Sequence, residues 1–592
     1  MKAISNRYRR SRGRLAITTA IALAALSVGA SQTQAAKRPE ASRYGGSVKV
    51  GIFDTFPGFC VGNNPANSAL MAERTIYETL FERTKGGDMI GLLASGATSS
   101  TDLKTWTVTL RQGIKFTDGV DFDAAAVLTN FNAITGRIAA AAYSAGGLPG
   151  YQTKAYTVGT GTAFTANIKA MTVKSPYVIE FQLDRAQNDF TSTLYASGRF
   201  FMRSPNQLAS ATTCANAPVG TGPFKLVSWT SDQMVVTRNT GYWRRDPINN
   251  AQLPYLNGIT FTNVKEASQR AAAVRKGSID AAMFSSATDG TFVKDLRKRR
   301  ATVTEHKSPV EYYPSLWLNQ GKPGSPFSYM SARLAVLSCI DRANFLKVRN
   351  KGEGAVATSI VGPNSAMYTK TGFQKFSVSR AKHYLGEYIK ESGKARLEFT
   401  FPADTTSVSQ GNAAFLKATW AKCGIYANYV VEETGVIITK AFNAAPKVSS
   451  GEYYNAYDAL VLTLFEGNDV AFNLPFIVTN SYPKNSTNPV HPLFENSVGQ
   501  VLGLNHHSDT TLDTFFYDGE AATSKSAAKS NYKQGTAYLQ AHGMMGSITH
   551  TYYTVFTTKK IAGIGTLQIV RGKTQRVVTN WGIDWTGVWK KG

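Results

Sequence analysis

The residues best suited to chemistry in this chain are few. It holds four cysteines, Cys60, Cys214, Cys339 and Cys423, and seven histidines in 592 residues. Gly58-Phe59-Cys60-Val61-Gly62 has the spacing of a nucleophile elbow with a thiol in the central place. An elbow needs a strand before it, a helix after it and a histidine base. Asn63-Asn64-Pro65 does not continue as a helix, and the first histidine of the chain is His306. A half-cystine is the stronger reading of Cys60, with an exported hydrolase using Cys60 or an acid pair kept as the alternative function. His506 and His507, with Asp509, form the one histidine cluster. Adjacent histidines cannot share a helix face, and no cysteine or third spaced histidine accompanies them. A solvated loop is therefore expected there, not a metal site. No catalytic triad, metal-hydrolase motif or Gly-rich phosphate loop is visible. The expectation is a protein that is not an enzyme, with no cofactor and no metal.

An apolar fraction of 43% and a charged fraction of 18% describe an ordinary globular chain, long enough for three or more units of ~100–200 residues. The net charge is +26, but eight basic residues (Lys2, Arg7, Arg9, Arg10, Arg12, Arg14, Lys37, Arg38) precede the first acid, Glu40, which leaves +18 for the remainder. The other Lys and Arg are scattered, with 297–300 as the only run, so a solvated basic face is expected and no nucleic-acid partner. The basic start up to Arg14, the small apolar run Leu15–Ala30 and the small residues Gly29-Ala30-Ser31 and Thr33-Gln34-Ala35 read as a Sec-type export signal. Arg9–Arg10 lacks the hydrophobic residues that would follow in a twin-arginine signal. Cys60 lies far beyond any cleavage position, so no lipid anchor is expected. Export makes the four cysteines candidates for oxidation, with three possible pairings.

The elements that must position these residues are organised around 218–246, PVGTGPFKLVSWTSDQMVVTRNTGYWRRD. Pro218, Gly220, Gly222 and Pro223 read as a tight turn in which the glycines supply positive φ. Phe224–Trp229 and Met234–Arg238, separated by Thr230-Ser231-Asp232-Gln233, read as a β-hairpin. Gly46–Phe53 alternates as an opening strand, and Leu70–Phe81 as an amphipathic helix facing inward with Leu70, Ile76, Leu80 and Phe81. Glu78 on it is given no chemistry. Thr105–Arg111 alternates as a strand, Asp118 reads as a turn residue, and Asp123 as the N-cap of a helix to about Ala133. Met171–Leu183 reads as a strand–turn–strand pair. Further on, Tyr312–Asn319, Leu397–Pro402, Ile425–Val431 and Tyr457–Phe465 read as strands. Ser268–Lys276, Met330–Arg342, Ser379–Glu391, Asn412–Cys423 and Lys529–His542 read as helices. That alternation argues an α/β fold.

PVGTGPFKL at 218–226 and GYWRRD at 241–246 are accompanied by IYETLFE (76–82), LKTWTVTLRQGIKFTDG (103–119), GSIDAA (277–282), MSARLAVLSCIDR (330–342) and YDALVL (457–462). With these motifs in one order over nearly the whole mature chain, the sequence resembles the family 5 extracellular solute-binding proteins, the oligopeptide, dipeptide and nickel receptors of ABC importers. The resemblance implies an α/β, periplasmic-binding-protein-like fold (type II, cluster C): two main lobes, an extra lobe inserted in the first, and a hinge between lobes. It implies a signal peptide at 1–35, lobe I at 36–85, 200–308 and 549–592, the inserted lobe II at 86–199 and lobe III at 309–548. It favours the pairs Cys60–Cys214 and Cys339–Cys423. It places at the cleft Phe53, Asp54 and Phe56 after the first strand, Tyr312, Trp317 and Asn319 at the crossing, and Phe465, Glu466 and Asp469 after a later strand. Aromatics there would stack on a solute and acids would hold a cationic group. Peptide-binding members carry a tryptophan and then an aspartate after that later strand; Leu464-Phe465-Glu466-Gly467-Asn468-Asp469 departs from this and puts a free peptide amine as ligand in doubt. The implied function is capture of a peptide or other small solute and its delivery to ABC permease subunits in the inner membrane, by a periplasmic monomer.

Overall fold

Alternation in the opening segment sets the centre of the molecule. Val48, Val50 and Ile52 are buried while Ser47 and Lys49 are exposed, as a strand with one packed face requires. The computed structural model describes residues 43–61, 67–134, 164–442, 456–464, 469–478, 503–507, 509–570, 572–575 and 577–592. The expected export signal lies outside them. Seven strands build the main sheet: β1 (Ser47–Ile52), β2 (Phe224–Trp229), β3 (Gln233–Arg238), β4 (Gly258–Asn263), β5 (Ala281–Ser285), β6 (Val303–Lys307) and β7 (Tyr553–Thr558). Their order is β6-β7-β5-β1-β4-β3-β2. β1 runs parallel to β4 on one side and to β5 on the other, and the remaining pairs are antiparallel. The chain thus goes from β1 to one side of the sheet and returns, and the β4-to-β5 connection crosses to the other side, a topological switch point. Trp581 and Trp585 of the C-terminal segment close the same core with Phe261 and Met283.

The 218–246 stretch forms the expected hairpin, β2 and β3, but its glycines are required for a different reason. Neither Gly220 nor Gly222 has positive φ. A Cβ at Gly220 would lie 2.2 Å from the Ile76 carbonyl oxygen, and one at Gly222 2.4 Å from it. The close approach exists because the predicted helix over Leu70–Phe81 stops early, at Asn67–Glu73. From there the backbone turns its carbonyls toward the glycine turn: Gly222 N–H donates to Ile76 O and Phe224 N–H to Thr75 O, both at 2.9 Å. Phe81–Arg83 then pairs as a strand with Met89–Gly91. Glu78 fastens the motifs together, accepting from Thr221 Oγ1 (2.9 Å), Tyr242 Oη (2.6 Å) and Trp243 Nε1 (2.7 Å).

The inserted lobe carries a four-stranded antiparallel sheet in the order Ala94–Ser99, Thr105–Leu110, Val178–Leu183, Ile168–Ser175. Asp123 caps the helix Ala124–Ile134 through Ala126 N–H at 2.8 Å, and Asp118 takes Ser204 Oγ at 2.6 Å in its turn. The third lobe sets Tyr313–Leu318 between Ala459–Leu464 and Met545–Ser547, beside a parallel pair, Glu398–Asp404 and Tyr426–Glu432. Its helix from Met330 ends at Ser338, and Asp341 caps a second one, Arg342–Val348. Two segments cross between the β-sheet core and this lobe, and they pair: Thr551 N–H donates to Tyr312 O at 2.7 Å and Tyr312 N–H to Thr551 O at 3.2 Å. They form the hinge. Disulfides join Cys60 to Cys214 and Cys339 to Cys423.

Candidate functional site

Open parallel sheets bind ligands outside the carboxyl ends of their strands, at the switch point. Here that is the end of β1, flanked by the ends of β4 and β5. Arg270, 1% exposed on the helix Ala267–Lys276, ties the three ends together. It donates to Val264 O and Lys265 O after β4 (2.7 Å each), to Met283 O in β5 (3.1 Å), and to the Asp289 carboxylate at 2.9 Å. Its guanidinium lies 5.1 Å over the Phe53 ring, directly after β1.

Next to it, Asp54 accepts from Ser68 N–H (2.8 Å) and Ser68 Oγ (2.6 Å) at the start of the Asn67–Glu73 helix. Burial pushes the Asp54 carboxyl up; the Ser68 hydrogen bonds and the Arg270 charge act against that. Asn67 Nδ2 donates to Tyr553 Oη at 2.8 Å, and the Tyr553 ring packs on Phe53 (6.4 Å, stacked) and edge-on to Tyr312 (4.5 Å). Burial raises the Tyr553 hydroxyl pKa; Asp54 and Asp289 raise it further and Arg199 lowers it, so all three charges lie around this phenol. The site floor is therefore an aromatic surface with acids and a cation at its edge.

The third lobe faces this floor. Arg199 lies 5.4 Å over Phe472, which stacks on Phe164 of the inserted lobe at 4.9 Å. Asp469 caps the helix Val470–Ile477 and makes a buried ion pair with Arg83. Beside the crossing segments is a cavity of about 200 Å³. Ala287, just after β5, forms one wall; Pro314, Phe401, Leu416, Val461 and Thr549 are among the others. It thus touches both main lobes and both crossings.

The structure brings Phe53, Asp54 and Tyr312 to one surface. Phe56 is 3% exposed in the core beneath. Trp317 and Asn319 lie five and seven residues beyond Tyr312, roughly 16 Å or more along a strand. Both are 1% exposed: Trp317 Nε1 donates to Leu462 O at 3.2 Å and Asn319 Nδ2 to Tyr457 O at 2.9 Å. Phe465 and Glu466 lie outside the described residues. The hydrolase alternative on Cys60 is corrected: its sulfur is bonded to Cys214 and no cysteine is free, so no thiolate is available. The solvated histidine loop is corrected too. His507 is buried and its Nε2 lies 2.6 Å from Ile477 O, and burial depresses His506 to about 4. Sequence reasoning missed Asn67, Arg199, Arg270 and Tyr553. Arg270 carries no sequence signal, since a charged residue on an amphipathic helix reads as solvated.

Comparison with known proteins agrees with this architecture. The family model described as bacterial extracellular solute-binding proteins, family 5 Middle, matches residues 88–469. The chain is 29% identical over 322 residues to the glutathione-binding protein GsiB of Salmonella paratyphi A, covering 54% of this chain and 56% of that protein. It is 28% identical over 371 residues to the glutathione-binding protein GsiB of Escherichia coli, covering 61% and 65%. The matches span less than two thirds of these curated relatives. Among solved structures, the periplasmic binding protein DppA of Helicobacter pylori in complex with peptide STSA superposes with a TM-score of 0.73 at 19% identity, over 93% of this chain and 99% of that one. AgaA of A. tumefaciens in complex with agropinic acid does so at 0.73 and 17%, over 92% and 99%. These two show the fold. With a family match across most of its length and a switch-point sheet joined to a third lobe by paired crossings, the chain belongs to the bacterial extracellular solute-binding proteins, family 5.

Proposed function

We propose that the protein is the substrate-binding component of an ABC importer, capturing a peptide or other small solute between its lobes and handing it unchanged to membrane permease subunits. The observation that carries this is the carboxyl end of β1, where Phe53, Asp54, Asn67 and Tyr553 form a surface faced by Arg199 and Phe472 across the crossings. Such a surface contacts both lobes, so a solute on it stabilises the closed arrangement by its differential affinity for that state. Tyr312 belongs to the same proposed surface and Phe56 packs beneath it, while Phe465, Glu466 and Asp469 are proposed contacts from the third lobe. Asp469 is engaged by Arg83, which supports a solute whose amine, if any, is held elsewhere. Glutathione, named for the relatives above, and short peptides head the panel to be tried. The lobe boundaries given by the resemblance, export through 1–35, a periplasmic location, a monomeric state and the absence of catalysis belong to the same reading.

Native mass spectrometry on the purified protein identifies a co-purified solute, and calorimetry with small-angle scattering measures its affinity and the contraction it causes. The expected result is one solute class that binds, contracts the molecule and is recovered intact. A solute chemically converted without contraction would overturn the reading.

A further inference from the structure

The main sheet has a second end, and its charge differs from that of the first. At the carboxyl ends of β1 and β4 the acids Asp54, Glu266 and Asp289 lie beside Lys265 and Arg270. At the opposite end, where β5 begins and β7 finishes, bases prevail. The helix Ala267–Lys276 ends there with Arg275 and Lys276, and the helix Gly290–Arg297 runs out into Lys298, Arg299 and Arg300. β7 turns back through Lys559 and Lys560. All seven bases are exposed. Strand pairing keeps the three groups together: Val303, shortly after the second helix, pairs with Thr558, and Thr558 N–H donates to Asp280 O at 2.8 Å, shortly after the first. Two acids sit among them. Asp295 is shared by Arg275 (3.6 Å) and Arg299 (3.3 Å), and Asp280 is held by Lys590 at 3.0 Å, so a surplus of positive charge remains.

A helix C-terminus favours bases in its last turn, which accounts for Arg275 and Lys276. Arg299, Arg300, Lys559 and Lys560 lie outside the helices, and no helix dipole accounts for them. The three basic groups contain no aromatic residue, so they offer no stacking platform for a single-stranded nucleic acid. They are instead point charges gathered on one end face from separate elements, which suits the phosphates of an extended anionic surface. We propose that this end of the lobe docks on an anionic phospholipid bilayer, holding the protein at the membrane surface while its solute site stays open. β1 has six residues, roughly 20 Å of strand, so the docking face and the site are far enough apart to be occupied together. Only the choice of a membrane over another anionic surface rests on the importer reading above. The attachment is reversible and sensitive to salt, because exposed charges are screened beyond about 10 Å at 0.1 M ionic strength.

Co-sedimentation of the purified protein with mixed phosphatidylglycerol–phosphatidylcholine vesicles, and with phosphatidylcholine alone, tests the assignment. Wild type should bind the mixed vesicles, leave them as salt rises, and ignore the neutral ones. Each neutralised base costs about fivefold in affinity, so Lys298→Gln, Arg299→Gln and Arg300→Gln combined should lose on the order of a hundredfold. Lys559→Gln with Lys560→Gln is the second variant of the same face, expected to lose about 25-fold. The control, Lys375→Gln, Lys382→Gln and Lys390→Gln, removes as much charge from exposed positions of the third lobe and should bind as wild type. Failure of wild type to bind the mixed vesicles, equal binding to neutral ones, or equal losses in the control and the 298–300 variant would each overturn the proposal. Retention on polyphosphate at a salt concentration that frees the vesicles would do so too, by moving the partner to a polyanionic chain. Solute capture is read separately by scattering with the solute found by mass spectrometry. Capture without vesicle binding sinks the docking face alone, and vesicle binding without any captured solute sinks the importer reading alone.

Discussion

Glu78 is 5% exposed and accepts hydrogen bonds from a hydroxyl, a phenol and an indole contributed by two other motifs. Burial pushes its carboxyl up, and these donors act to bring it back. Glu78→Ala leaves three donors without an acceptor, the buried Thr221 and Tyr242 and the half-buried Trp243, at a cost of about 3 kcal/mol. A clear drop in melting temperature is expected, smaller for Glu78→Gln, which keeps one acceptor oxygen; an unchanged melting curve for the alanine variant would contradict this. The disulfides make a second residue-scale expectation. Thiol titration of the unreduced, denatured protein should find no free thiol. Replacing Cys60 and Cys214 by serine should lose roughly 2–5 kcal/mol, because the bridge closes a long loop. Glu78 illustrates what sequence conceals: a glutamate on a predicted amphipathic helix reads as solvated, and only the meeting of three distant motifs makes it internal.

At the scale of elements, local patterns were read well where the chain's own neighbours decide them. The Asp123 cap, the β2–β3 hairpin and the strand alternation of Ser47–Ile52 depend on residues a few positions apart. The Leu70–Phe81 helix failed because Thr75 and Ile76 carbonyls are drawn to the 222–224 backbone, almost 150 residues away. The same approach governs Gly222. Gly222→Ala forces a Cβ to within 2.4 Å of Ile76 O, and backbone cannot yield as a flexible side chain would. The variant should melt well below wild type, whereas Gly241→Ala, whose Cβ would meet only the Asn239 Oδ1 at 3.7 Å, should stay close to it. Equal melting points would show that the 75–76 turn moves freely.

Across the whole molecule, the inserted lobe meets the third lobe at Phe164 and Phe472 and, separately, through the segment 185–188. Asn188 N–H donates to Glu520 O (2.8 Å) and its Nδ2 to Gly519 O and Ala522 O (2.9 Å each), at the end of the helix Thr510–Ala521. Arg185 lies 4.1 Å over Tyr517. Asn188→Ala removes two of these bonds, so solute affinity should fall several-fold, roughly one to two net hydrogen bonds shared with closure, while contacts at the β1 end stay unchanged. Affinity equal to wild type would show that the segment does not hold the lobes together. The same interface titrates. Burial, with Asp189 adding repulsion and Arg185 opposing it, pushes Glu520 from 4.5 up to about 8; Asp189 is raised too, and Tyr532 faces both. The joined lobes therefore hold more protons than separated ones between these values. Their association is fully favoured below about pH 4.5 and weakens as pH rises to about 8. Affinity should fall over that window, and Glu520→Gln should flatten the dependence; a pH-independent wild type would refute the assignment.

What the sequence determined by itself is the kind of unit the chain builds. Hydrophobic period, turn residues and caps report on burial of one face by near neighbours, and from these the strands, most helices and the α/β class were legible, as was the family through its ordered motifs. The structure alone decided which buried faces meet. Arg83 and Asp469 pair across 386 positions and Asn67 meets Tyr553 across 486, separations over which no periodicity carries information. Trp317 reads the same whether it faces a cleft or a core, because an apolar strand position records only that it is covered, not by what.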